Sequence, residues 1–210
     1  KERKKAVAEI DESIDDLLQR GRMTEAYYDL IKKGAEYPNS AVLAYKRAVI
    51  LCLMNRDIEA RKILSELREN EEFREKAEDF IYDIDCKIVG EHKETDVEYD
   101  VLPEIYFNIG KYESCEDAIS QVKEDKLTPG LMALRGRCEV SQGRFSDALK
   151  SFDAALAADK NLKGLRIMKG MILQSKRDYE GALSMYDEAL KAGDDPVSVC
   201  SIKAALLYEQ

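Results

Sequence analysis

Tryptophan is absent from this chain of 210 residues, and histidine occurs once, at His92. A single imidazole in a polar stretch reads as a solvated side chain. It leaves no partner for the usual His-rich metal sites or for a His-activated nucleophile. No HExxH, GxxxxGK[ST] or GxSxG pattern is present, so the motif-bearing zinc proteases, P-loop NTPases and α/β hydrolases are excluded. No apolar run reaches the 18 residues of a membrane-spanning helix, and no signal peptide is visible. The longest apolar stretch, Ala41 to Met54, is interrupted by Lys46 and Arg47. Proline is scarce, at four residues, while 36% of the chain is charged, a balance that suits helices rather than disorder.

Cysteine is neither rich nor paired. The five stand at 52, 86, 115, 138 and 200, none in a CxxC spacing. The odd count and wide spacing argue against a disulfide framework or metal site and for a reducing compartment, cytoplasmic or nuclear. Cys52 and Cys86 are 34 residues apart and are expected to be free, buried thiols on neighbouring repeats.

What is present is a repeat. Written in lines of 34 residues from Pro129 and Lys163, the chain aligns Gly136 with Gly170, Phe145 with Tyr179, Ala148 with Ala182, Phe152 with Tyr186 and Ala155 with Ala189. A fixed period of this length marks a solenoid, whose units bury their apolar faces on one another. Each line reads as two amphipathic helices joined by a short turn. In the first line the helices are expected over about 129–142 and 145–158, with Gly143-Arg144 turning the chain. Thr128 is a fair N-cap and Pro129 suits the first helical position.

The pattern Gly136…Gly143-Arg144-Phe145…Ala148…Phe152…Ala155 resembles the tetratricopeptide repeat, as does Gly170…Tyr179…Ala182…Tyr186…Ala189…Pro196. Pro196 comes two residues late, after Gly193-Asp194-Asp195, which implies a lengthened turn. The resemblance is strong over 129–196 and weaker elsewhere. It implies an all-α, helix-turn-helix repeat solenoid with a right-handed superhelix, whose concave face holds segments of other proteins.

Elsewhere the repeat is degenerate. Residues 7–38 carry a Gly21-Arg22 turn, Ala26 and Pro38 at the expected places, and Ala48 and Ala60 mark a second unit from Ala41. Phase is then lost. A long helix is expected over 71–89, ended by Gly90 and without an obvious partner, followed by a polar loop. It is either an unpaired spacer or the last element before a boundary in that loop. Phase resumes near Asp96, with Gly110-Lys111 as turn and Cys115 as the small residue. The expected organisation is therefore 1–72, degenerate repeats; 73–95, irregular helix and acidic loop; 96–210, repeats with a C-terminal capping helix from Pro196. The chain opens on Lys1 and closes within a helical pattern, and it reads as a piece of a longer protein.

The resemblance also assigns a groove, carried over residue by residue. Its partner-binding candidates are Tyr45 and Val49 in the second unit and Asp100, Glu104 and Phe107 in the unit from Asp96. The two clear repeats contribute Arg137, Val140, Ile167, Met171 and Gln174. Asp11 and Asp15 extend it into the first unit, and Met168 beside Met171 offers an adaptable apolar surface. The groove is thus expected to be acidic towards the N-terminus and apolar towards the C-terminus. Val140, Ile167 and Met171 have an alternative role as packing between helices. The lysines and asparagines that chaperone-binding members use to clamp a carboxylate are missing here.

Charge is uneven. The formal net charge is −9, yet residues 66–104 alone hold 15 acidic and five basic residues. That stretch is either a solvated helix and loop or a dock for a basic segment, and it disfavours nucleic acid. The functional expectation is a non-catalytic scaffold or adaptor that binds a basic and apolar protein segment, with no cofactor and no metal. The alternatives are a domain that associates with itself as a homodimer and a regulatory domain of a longer protein.

Overall fold

A computed structural model of the chain describes residues 2–91 and 101–209. Among the described residues there are twelve α-helices and no strand. The chain divides into two compact units, 1–97 and 98–210.

The first unit contains α1 (Glu2–Gln19), α2 (Met23–Gly34), α3 (Ala41–Leu53), α4 (Asp57–Leu67) and α5 (Arg74–Gly90). α1 pairs with α2 and α3 with α4, and α5 lies on α4. Its core includes Ile14, Ala26, Leu30, Leu43 and Ile50, which three helices contribute at helical spacing. The second unit contains α6 (Leu102–Asn108), α7 (Tyr112–Ser120), α8 (Pro129–Ser141), α9 (Phe145–Ala158), α10 (Leu165–Ser175), α11 (Tyr179–Lys191) and α12 (Pro196–Glu209). Three pairs, α6–α7, α8–α9 and α10–α11, are followed by α12, which packs on α11. Each unit is therefore a run of helix pairs closed by one extra helix.

The turns inside the pairs share one mechanism. The second residue after each first helix lies in the left-handed region: Gly21, Asn55, Gly110, Gly143 and Arg177. At the α8–α9 turn the Gly143 amide donates to the Val140 carbonyl at 2.9 Å and the Arg144 amide to the Glu139 carbonyl at 2.8 Å. This is the paired C-terminal cap that satisfies a helix's last carbonyls. Gly143 adopts it without strain at φ +75°. Arg177 adopts it at φ +63° although its Cβ makes the conformation costly, so the cap prevails over local preference.

The pairing itself rests on glycine under an aromatic ring. A Cβ at Gly136 would lie 2.5 Å from Phe152, and a Cβ at Gly170 would collide with the ring of Tyr186. Phe152 and Tyr186 are fully buried, as are Ala148, Ala155, Ala182 and Ala189. The small residues make room for ring edges, whereas Phe145 stays partly exposed.

The helix expected over 71–89 is α5, over 74–90. The Asn70 carboxamide oxygen accepts the Phe73 amide at 3.2 Å and holds the turn before it. Its partner is α4. Arg61 donates twice to Asp85, at 2.6 and 3.1 Å, with both side chains buried. Lys87 bonds Asp57 at 2.9 Å. In the unit that begins near Asp96 the first helix is α6, and a short 3-10 turn over Glu124–Lys126 precedes α8.

Candidate functional site

The first helices of the three pairs in the second unit, α6, α8 and α10, meet along a cleft of about 710 Å³. Its floor is apolar: Leu131, Ala133 and Leu134 of α8, Met168 of α10 and Leu162 from the preceding loop. Its rim carries Glu104, Arg137 and Lys163. The N-terminal turns of α8 and α10 open on it through Gly130 and Gly164. Thr128 accepts the Leu131 amide at 3.2 Å and so fixes the start of α8. Gly164, at φ +79°, starts α10, and its amide donates to the buried Asp194 at 2.7 Å. Asp194 sits in the lengthened turn after α11, so that turn also positions the cleft.

Arg137 is oriented by an aromatic face. Its guanidinium lies 4.4 Å from the centre of the Phe107 ring, which in turn packs at 5.6 Å on Tyr112. A guanidinium stacked in this way keeps its charge while losing little further freedom on binding a ligand.

Of the residues expected to form a groove, Glu104 and Arg137 line this cleft, with Phe107 beneath Arg137. Val140 packs against the α8–α9–α10 core and Ile167 against the α10–α11–α12 core. The Gln174 side-chain carboxamide oxygen accepts the Tyr186 hydroxyl at 3.1 Å. Met171 is 53% exposed and lies outside the cleft. Tyr45, in the first unit, stacks on Phe73 and Phe80 at 5.5 and 6.0 Å, with Val49 half-buried one turn on. Asp100 and His92 lie outside the described residues.

The first unit holds its own cleft, of about 810 Å³, between α1, the α2–α3 loop and the start of α5. Asp11 lines it, but Asp11 and Asp15 both pair with Lys46 of α3. Burial opposes the Lys46 charge, yet the two carboxylates hold its ammonium above the usual lysine value. One ammonium thus offsets one of the two carboxylates, and the group keeps a net charge of −1.

The cysteines are free, as expected, but not all are buried: Cys86 is exposed and Cys52 half-buried, because α5 turns Cys86 away from α4. Among the described residues no three His, Cys, Asp or Glu side chains are grouped to hold a metal, and no helix is long and apolar enough to cross a membrane.

Lys163, Met168, Leu162 and Thr128 complete the cleft, although the groove assignment passed over all but Met168. The repeat offset locates two of them, since Thr128 and Leu162 are 34 residues apart, as are Gly130 and Gly164.

No family profile matches the chain, and no curated protein is similar to it. Solved structures are similar in fold. A chain of the APC/C hetero-tetramer Cut9–Hcn1 superposes with a TM-score of 0.51 at 11% identity, over 91% of this chain and 40% of that one. For pilF of Pseudomonas aeruginosa the TM-score is 0.48 at 16% identity, over 100% of this chain and 87% of that one. For a tetratricopeptide repeat protein from Parabacteroides merdae it is 0.46 at 12% identity, over 95% and 84%. Helix pairs at a 34-residue offset, glycine-under-aromatic contacts and all-α architecture agree: the chain has the tetratricopeptide-repeat fold.

Proposed function

We propose that this chain is a non-catalytic scaffold that holds a segment of a partner protein in the cleft formed by α6, α8 and α10. The observation that carries this reading is the cleft itself. Three successive first helices supply an apolar floor and a rim of opposite charges, and Arg137 is already held in place on Phe107. An apolar floor supplies affinity, and a charged rim fixes register and orientation. The fitting partner is an extended or helical segment with apolar side chains for Ala133 and Met168 and an acidic residue for Arg137 or Lys163. This revises the basic and apolar segment expected from the sequence.

The test is capture of a partner from a reducing lysate by a photo-crosslinker placed at Thr128, compared with the same bait carrying Arg137→Glu and Lys163→Glu. Both substitutions are at exposed positions and should leave the circular dichroism spectrum unchanged. A crosslinked protein lost from the doubly substituted bait supports the cleft. Equal capture by both baits sinks it.

A further inference from the structure

Ion pairs at one fixed separation tie successive helix pairs of the second unit together. Lys169 of α10 bonds Asp153 of α9, and Lys203 of α12 bonds Asp187 of α11, in each case across 16 residues. Counted the same way in the first unit, Arg47 of α3 falls opposite Ile31 of α2, so the base is present and the acid is not. Arg135 of α8 also follows an isoleucine, Ile119, but that side chain is buried, whereas Ile31 is 43% exposed. Beside Ile31 the two helices leave a cavity of about 310 Å³. Leu30 and Ile31 of α2, Leu43 and Ala44 of α3 and Pro38 of the loop between them line it, and Arg47 is the one charged side chain among its lining residues. Among the described residues the Arg47 Nε is buried and has no hydrogen-bond partner. A buried donor left unpaired costs stability, and an acceptor brought to it recovers that cost.

We propose that this cavity is a binding site for a carboxylate on an aliphatic stem, which takes the place that Asp153 and Asp187 hold in the later repeats. A guanidinium offers Nε and one terminal nitrogen side by side, the spacing that a planar carboxylate accepts with both oxygens. Ile31, Leu30 and Leu43 give the stem an apolar wall. One positive charge and such a wall select a monoanion over a phosphate, whose second charge would be buried without a partner. The volume lies at the small end of ligand pockets and suits a group of side-chain size. A free aliphatic acid and a glutamate side chain of another protein both carry this chemistry. The site lies wholly within the first unit and does not depend on the α6–α8–α10 cleft.

The probe is pentanoate, titrated into the whole chain and followed by the magnetic resonance signals of the Arg47 Nε–H and the Ala44 amide. Saturable shifts of both are expected. The affinity should fall at least about tenfold for the neutral isostere pentanamide, and likewise for pentanoate with Arg47→Gln or Ile31→Asp. Ile31→Asp supplies the missing acid from within and keeps Arg47, so it decides the matter even if Arg47→Gln disturbs the fold, which circular dichroism checks. Arg137→Glu should leave the binding unchanged. An Arg47 Nε signal that pentanoate does not move overturns the proposal. Equal binding of pentanamide overturns it too, as does pentanoate binding that Ile31→Asp does not weaken. A glutamate blocked at both ends that binds more tightly than pentanoate supports the site and assigns it to a side chain of a partner protein. The reverse order supports it equally and assigns it to a free acid.

Discussion

At Gly136 a single hydrogen atom decides whether two helices can pair. Alanine gains about 1 kcal/mol of helix propensity over glycine. Here its methyl group would stand 2.5 Å from a buried ring, so Phe152 must move within a filled core. Overpacking of this kind costs typically about 1–3 kcal/mol. Gly136→Ala should therefore destabilise by about 1 kcal/mol despite its better propensity. Adding Phe152→Leu should show positive coupling, because the smaller side chain vacates the space the methyl needs. Denaturant melts of the two singles and the double check this, and additive effects would show that ring and notch are independent. The notch was legible in the sequence as a small residue at a fixed offset. That it seats a ring, rather than a facing helix backbone, was not, because the offset does not say which atoms meet.

Among the elements, α5 adds a buried ion pair to an apolar stripe of Ala77, Ile81, Ile84 and Ile88. The buried Arg61–Asp85 pair joins α4 to α5 through two hydrogen bonds. Removing one member of such a pair strands the other in a low-dielectric site and costs about 3–5 kcal/mol, while replacing both by apolar residues is often neutral. Asp85→Ala should lower stability by that amount, and Arg61→Met with Asp85→Leu should recover most of it, as read by urea midpoints. If the single variant melts like the parent, the pair does not hold α5. The α5 helix was legible from its apolar stripe, but its partner was not. The tie to α4 is made by Arg61 and Asp85, two charged residues that a hydrophobic pattern scores as surface. The groove was legible in part, since some of its candidates also had a packing role open to them. Arg137 and Glu104 reached the cleft, but Val140 and Ile167 face neighbouring helices, because a periodicity of 3.6 leaves adjacent positions only about 100° apart.

For the molecule as a whole, its five thiols form a graded map of accessibility. Cys86 and Cys200 are exposed, Cys52 is half-buried, and Cys115 and Cys138 are buried together in one core. Burial, with the Asp57 carboxylate nearby, pushes the Cys52 thiol up to about 11, and contact with Cys138, with burial, pushes Cys115 up as well. At pH 8 a thiol near 11 is ionised about one part in a thousand, against roughly one in ten for an ordinary one, so Cys52 should react far more slowly than free cysteine added as a reference. The folded state favours the neutral Cys52 thiol. Its contribution to stability is complete below the unfolded value near 9 and fades as pH rises from there through about 11. Maleimide labelling followed by mass spectrometry should give Cys86 and Cys200 first, Cys52 later, and Cys115 and Cys138 only on unfolding. Early labelling of Cys115 would contradict the core described here. The rings seated on Gly136 and Gly170 report a different kind of opening. An aromatic ring can turn over only if its edges find room, and here one edge lies against helix backbone in a close-packed interior. Each half-turn of Phe152 or Tyr186 then requires its two helices to part for an instant. The flip rate of each ring, read from the exchange of its two edges in a magnetic resonance spectrum, would time the breathing of each pair separately.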